Sequence, residues 1–321
     1  MEALLSGLRA AGEPTRLRLL ALCAHGELSV TELTQILGQS QPRVSRHLKL
    51  LVEAGLLVRF REGSLVFYRI SEGNEAAHLA RTLVDMLPGD DTELNRDLAR
   101  LDKTRQKRAQ VAEKYFQDNA SDWNKIRALH VPEAEVESRL LELVGSERVG
   151  HYLDIGTGTG RMLELMAAQI ERGIGIDMSS EMLAIARTQL EQQGYRHIQV
   201  RKGDMYNMPV DDMSMDLATL HLVLHYSLEP GTVIMEAART LKPGGRLVVV
   251  DFAPHSEEHL RTDHKHQRLG FSDREIELAM KQAGLDPGQT ESLVGEPLTV
   301  KLWQGTNTAS NSVHLPYKTQ S

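Results

Sequence analysis

The sequence predicts two unlike domains: an α+β head over residues 1–87 and, after a charged linker over 88–116, an α/β body over 117–305 with a mostly parallel sheet. Length is one ground, because 321 residues exceed what a single hydrophobic core usually serves. Pattern is the second. Early in the chain, apolar residues recur at helical spacing and then alternate as in a hairpin, whereas later segments interleave short apolar runs with helical stripes. Charge is the third. The chain carries −7 overall, but residues 1–70 hold nine Lys/Arg against six Asp/Glu, so a head at +3 precedes a remainder at −10. A basic head on an acidic body implies a polyanionic partner for the head alone.

In the head, Pro14 can open a helix on which Leu17, Leu20, Ala21 and Ala24 share a face, and His25-Gly26 stops it. Ser29 can cap a second helix with Val30, Leu33 and Leu37 inward, closed by Gly38. A third begins near Ser40 and Gln41. Val44, Leu48 and Leu51 mark its inner stripe, which leaves Arg43, Ser45, Arg46 and Lys49 toward solvent and His47 between packing and an external contact. After Gly55, residues 56–61 alternate like a strand, 62–64 turn, and 65–70 return, with Arg59, Arg61 and Arg69 spaced along the hairpin.

Helix, glycine turn, basic helix and hairpin make a winged helix-turn-helix, in which the second helix enters the major groove; its arginines can fork onto guanine and its lysine can neutralise phosphate. The segments Pro14-Thr15-Arg16-Leu17-Arg18-Leu19-Leu20, Val44-Ser45-Arg46-His47-Leu48 and 56–63 resemble the ArsR/SmtB winged-helix regulators. That resemblance implies a homodimer, paired through flanking helices, on near-palindromic double-stranded operator DNA. One departure matters. Where many members carry a cysteine-rich metal box, this chain reads Glu27-Leu28-Ser29-Val30-Thr31-Glu32, and Cys23 is its only cysteine. Soft metals need several converging thiolates, so metal sensing is not expected and Cys23 reads as a small core residue.

Pro88-Gly89-Asp90-Asp91 should end the helix carrying Leu79, Leu83 and Leu87. Thr92 can then cap a long charged helix running toward Phe116, with Leu94, Leu98 and Leu101 on one side.

In the body, an apolar strand over Val149–Ile155 enters the turn Asp154-Ile155-Gly156-Thr157-Gly158-Thr159-Gly160, and Leu163, Met166, Ala167 and Ile170 mark the helix after it. The third glycine follows the second after one residue, not the two of the dinucleotide fingerprint, which argues against a nicotinamide cofactor. A second strand ends at Asp177, placed to accept both ribose hydroxyls, with Met178 next to it. A third leads to Asp204 and Met205, an acid for an exocyclic amine and a thioether for a ring face. Residues 216–220 form a fourth strand. Residues 241–252 read as a helix end, a turn and a fifth strand.

Together these signals resemble the class I S-adenosylmethionine-dependent methyltransferases, from about Val149 to Phe252 and more loosely to Gly305. The resemblance implies a Rossmann-like, seven-stranded sheet whose last strand, over 300–304, runs antiparallel. It also implies S-adenosylmethionine or S-adenosylhomocysteine as ligand. Asp154, Gly156, Gly158 and Gly160 would wrap its amino-acid portion, Asp177 the ribose, and Asp204 with Met205 the adenine.

His221 and His225 follow the fourth strand, where either could deprotonate a small-molecule methyl acceptor or simply pack. Tyr115, Phe116 and Trp123 could cover the site. His255, His259, His264 and His266 beside Asp251 and Asp263 invite a zinc reading, but their spacing fits no closed tetrahedral set, so no metal is expected. The tail from Thr306 to Ser321 is polar and expected to lack order. No apolar run approaches the roughly 20 residues that cross a bilayer. Residues 1–11 lack the charge and apolar core of an export signal, so a cytoplasmic location is expected.

Two functions stand open: a transcriptional regulator whose body senses the adenosyl ligand, and an active methyltransferase whose head controls its own operon. A DNA methyltransferase is disfavoured, because residues 220–223 read Leu-His-Leu-Val in place of an Asn/Asp-Pro-Pro-aromatic base-flipping motif.

Overall fold

The computed structural model describes residues 1–62, 65–71, 74–104, 106–107 and 132–308. Tyr115, Phe116 and Trp123, and the turn at 63–64, lie outside the described residues. Contacts divide the chain into two compact units, residues 1–116 with 180–196, and residues 117–179 with 197–321.

The first unit opens with α1 (Glu2–Ala11), α2 (Pro14–Ala24), the two-residue strand β1 (Leu28–Ser29), α3 (Val30–Leu37) and α4 (Gln41–Glu53). Local chemistry sets these boundaries. Pro14 occupies the first turn of α2, where a missing N–H costs nothing, and the Glu13 carboxylate caps it by accepting from Arg16 N. Ser29 and Glu32 cap α3 reciprocally. The hairpin β2 (Leu57–Glu62) and β3 (Leu65–Ile70) pairs Leu57 with Ile70 through Glu62 with Leu65, and β1 adds antiparallel to β3. Helix α5 (Glu75–Asp85) follows, capped by Asn74.

Residues 92–104 are helical (α6), as the composition of the linker predicts. Its cap is not Thr92 but Asp91, whose carboxylate accepts from Leu94 N at 2.7 Å. Asp97 on α6 is buried and takes two hydrogen bonds from the Arg18 guanidinium, at 2.5 and 2.9 Å. The core of this unit gathers Leu19, Leu20, Leu33, Val44, Leu48 and Leu51 with Leu101 of α6.

The second unit is a seven-stranded sheet whose core packs Leu153, Ile155, Leu220, Ile234, Val249 and Trp303. Its elements are α7 (Glu133–Val144), β4 (Val149–Ile155), α8 (Arg161–Met166) and β5 (Ile170–Asp177), then β6 (Ile198–Lys202), β7 (Met215–His221), a short 3-10 turn η1 (Leu224–Tyr226) and α10 (Pro230–Thr240). The run closes with β8 (Leu241–Phe252), α11 (His259–His264), α12 (Asp273–Gln282), β9 (Leu285–Leu293) and β10 (Val300–Asn307). Helix α9 (Ser180–Gln192), between β5 and β6 in sequence, groups with the first unit.

The strand order is β6-β5-β4-β7-β8-β10-β9. The pairs from β6 to β8 are parallel, and β10 runs antiparallel to both neighbours, as expected.

Three boundaries differ from the sequence reading. Helix α8 stops at Met166, and Ile170 opens β5, because Val149 and Ile170 pair in the parallel ladder. Residues 241–245 are not a helix end but a bulged start of β8, in which Leu241 lies opposite Met215 and Arg246 opposite Leu217. The last strand outruns the expected start of the tail, since Thr306 pairs with Arg246 and Asp286, and Asn307 with Leu285.

A candidate adenosyl-ligand site and a candidate DNA-reading surface

In a parallel sheet, ligands collect outside the carboxyl ends of the strands, where neighbouring crossovers leave the first strand in opposite directions. Here that point lies between β4 and β7, with β5 and β6 on the β4 side. The acids expected from sequence sit at those ends: Asp154 next to last in β4, Asp177 closing β5, and Asp204 two residues past β6.

Asp177 fastens the glycine turn. Its Oδ2 accepts from Gly158 N at 2.9 Å and its Oδ1 from Ser179 N at 2.8 Å. A carboxylate offers about four acceptor sites, so a pair remains for vicinal hydroxyls. The turn itself is open where a ligand would lie. Gly158 has φ +53, and a Cβ there would meet nothing within 4 Å, whereas a Cβ on Gly156 would stand 2.3 Å from Val223. The first glycine is therefore needed for packing on the loop after β7, and the second leaves a clear face beside the turn. The residues present thus fit an adenosyl amino acid.

Gly160 caps α8 with φ +84. Asp204 is exposed and accepts from Tyr206 N at 3.0 Å, Met205 packs on the core, and Met178 is largely exposed.

Asp154 is buried. It accepts from the Thr219 hydroxyl at 2.9 Å, and that hydroxyl lies 2.6 Å from Tyr152 Oη. Burial pushes its carboxyl up to about 6, with the Thr157 and Thr219 hydroxyls acting against the rise and Asp177 adding to it. Because the folded chain holds this proton more tightly than the unfolded one, the associated stability is full below about pH 4 and is lost as pH rises through about 6. Asp154→Asn should therefore stabilise the ligand-free protein at pH 8, by about 2–3 kcal/mol at most, and should give no gain at pH 4. Thermal melts at both pH values check this; an equal difference at the two would contradict it.

Beyond β7 the structure separates the two histidines. His221, the last residue of β7, is half-buried opposite Val250. His225, in η1, is buried and places Nδ1 2.9 Å from Asp251 Oδ1, while its backbone N–H donates to Oδ2 at 3.1 Å. His266 stacks on His225 with ring centroids 4.0 Å apart. Sequence reasoning placed Asp251 only in a possible zinc set. Its signal was the same as for Asp154 and Asp177, an acid near the end of an apolar parallel strand.

In the first unit, Arg43, Arg46 and Lys49 on α4 are exposed, as are Ser40 and Gln41 at its start, whereas Val44, Leu48 and Leu51 are buried. Ser45 is half-buried. His47 turns back toward Glu13, with Nδ1 3.5 Å from Oε2, which favours its packing role. Arg59 and Arg61 are exposed on one face of the hairpin, opposite Tyr68 and Val66 in register. Arg69 departs from expectation. It pairs with Val58, hence lies on the other face, and its guanidinium sits 3.8 Å from Glu27 with little exposure.

The family described as bacterial regulatory protein, arsR family, matches residues 13–58, and the methyltransferase domain family matches residues 153–249. This chain joins an ArsR-family helix-turn-helix domain to a class I methyltransferase domain. An uncharacterized 37.1 kDa protein in transposon TN4556 of Streptomyces fradiae is 39% identical over 116 residues, 35% of this chain and 33% of that protein. An arsenite methyltransferase of Aquipseudomonas alcaligenes is 33% identical over 109 residues, 31% of this chain and 32% of that enzyme. Both matches span only about a third of those relatives. The crystal structure of YcgJ from Bacillus subtilis aligns at TM-score 0.49 with 18% identity, over 55% of this chain and 100% of that one.

Proposed function

We propose that this ArsR-type methyltransferase fusion is a DNA-binding transcriptional regulator whose body holds S-adenosylmethionine or S-adenosylhomocysteine as an effector. The observation that carries the ligand reading is the Asp177 carboxylate, tied to Gly158 N beside a turn left open by that glycine. Asp177 would hold the ribose, the 156–160 turn with Asp154 the amino-acid end, and Asp204 with Met205 the adenine. When bound, the sulfonium form supplies an electrophilic methyl group; the thioether form supplies binding alone.

Operator DNA is the partner of the exposed basic residues on α4 and the wing. A second copy of the chain is the partner of α1, which buries Gly7 and Ala11 and leaves Leu4, Leu5 and Leu8 each more than two-fifths exposed. Such an apolar row on a flanking helix suits a homodimer that spaces two recognition helices. The arsenite activity of the Aquipseudomonas relative is not carried over. Cys23 is the chain's sole cysteine, it is buried in the first unit, and burial pushes its thiol up to about 12, so it offers no thiolate to a soft metal. Among the described residues no helix is long and apolar enough to cross a membrane.

An effector changes DNA affinity only by its preference for one arrangement of the heads, and such couplings run about 1–3 kcal/mol. Fluorescence anisotropy on a duplex selected from a random pool should therefore show operator affinity changing about 5- to 150-fold on saturation with one of the two ligands. Unchanged affinity with both would overturn the effector role.

A further inference from the structure

The body contains a second polar constellation, apart from the acids that face the adenosyl ligand. Asp251, fully buried near the end of β8, receives the His225 ring through Nδ1 and the His225 backbone N–H, and its Oδ1 also accepts from Phe252 N at 2.8 Å. A carboxylate held this way fixes the imidazole with its proton on Nδ1, so Nε2 carries the lone pair.

His266 lies over His225 at an interplanar angle of 26°, 2% exposed, and among the described residues both of its buried ring nitrogens have no partner. Burial holds His266 neutral, its pKa lowered to about 3. The peptide that carries it is anchored on the dyad, because Gln267 N and Arg268 N both donate to the His225 carbonyl, at 2.9 and 3.0 Å. Tyr226 and Phe252 complete an aromatic wall, 4.3 and 5.4 Å from His225 by ring centroid.

Buried polar atoms without partners are costly, and each one in a native protein calls for a reason, a catalytic role among them. His225, on which the His266 ring stacks, follows β7, across the switch point from the Asp177 side of the sheet.

We infer that His225, positioned by Asp251, is a general base for a planar aromatic hydroxyl, a phenol, seated against the His225–His266 wall. The inference rests on the reading that the body binds an adenosyl ligand, and it gives that same site an acceptor class. Flat stacked rings favour a flat partner. A phenol, which ionises near pH 10, also gives up its proton to a positioned base more readily than an alkyl hydroxyl does.

In the proton step the phenol O–H bond breaks, its electron pair stays on oxygen, and the proton forms an N–H bond at His225 Nε2. The imidazolium that results is balanced by Asp251. The phenolate oxygen then takes the methyl group of a sulfonium donor, forming an O–C bond as the S–C bond breaks and its pair returns to sulfur. The proton leaves Nε2 to water. His266 supplies neutral buried nitrogens beside the phenol and acts as a positioning residue.

The probe is 4-nitrophenol, whose phenolate absorbs visibly, added to the intact protein with and without S-adenosylhomocysteine at a pH below its own ionisation midpoint. The bound phenolate band should appear with wild type and fall about tenfold in His225→Gln, and Asp251→Asn should shift its pH profile upward. With S-adenosylmethionine present, methylation of the phenol should fall about 100-fold in His225→Gln. Retention of S-adenosylhomocysteine binding in that variant shows that it is folded. If it does not fold, nitrogen NMR of the wild-type imidazoles decides the matter: His225 should be the Nδ1–H tautomer, with Nε2 shifting on 4-nitrophenol addition. A phenolate band that is absent in wild type, or undiminished in a folded His225→Gln, overturns this inference and leaves the effector reading standing. Failure of wild type to bind either adenosyl compound removes the effector reading, and the phenolate test without ligand still judges His225.

Discussion

Arg46→Ala should abolish specific operator binding while the chain remains folded. Arg46 sits on α4 one turn past the helix start, exposed, with Val44 and Leu48 anchoring the helix from beneath. A bidentate arginine-to-guanine contact is worth about 1–3 kcal/mol, and a dimer loses it at both half-sites, so the loss should reach about 10²- to 10⁴-fold. The packing side of α4 is untouched, and the melting temperature should hold within a degree or two, as surface changes of this kind rarely exceed about 0.5 kcal/mol. Lys49→Ala is the contrast. Lys49 is exposed and lies 3.7 Å from Glu53, so its loss should weaken binding to all duplexes alike and flatten the salt dependence. Filter binding or anisotropy across a salt series measures both. Wild-type affinity in Arg46→Ala would remove α4 as the reading helix.

Asp177→Ala should lose the adenosyl ligand. Two effects add: the ribose loses a charged acceptor, and Gly158 N loses the partner that holds the turn in place. Hydrogen bonds to a charged group contribute about 1.5–3 kcal/mol each, so affinity should drop by at least about 100-fold. Asp177→Asn keeps one oxygen for Gly158 N and should fall between the two. Calorimetry with S-adenosylhomocysteine reads this directly, and wild-type affinity in Asp177→Ala would end the ribose role. The two variants should be independent in outcome. Arg46→Ala should bind the adenosyl ligand normally, and Asp177→Ala should bind operator without responding to ligand.

The placement of the candidate site was legible in the sequence where local punctuation fixes geometry. Asp154, the three glycines and Asp177 lie within 24 residues, and each stands at a strand end that the apolar run before it announces. Ser29 and Pro14 marked their helices because capping is a short-range interaction.

What stayed hidden depends on distant partners. Helix α1 was not anticipated, since its buried residues are the small Gly7 and Ala11 while its leucines face outward, reversing the usual stripe. Arg69 looked like a wing residue until register put it opposite Val58, facing Glu27 forty-two positions earlier. The His225–Asp251 pair spans 26 residues and two elements, and nothing in either local segment names the other as its partner.

The claim on which the rest depends is that the glycine turn and the strand-end acids of the body form a seat for an adenosyl amino acid. Titration of the intact, folded chain with S-adenosylhomocysteine in a calorimeter tests it most directly. One saturating site per chain, with a dissociation constant on the order of micromolar, is the predicted result. No binding heat from the thioether or the sulfonium compound at millimolar concentration, at two temperatures, would contradict it.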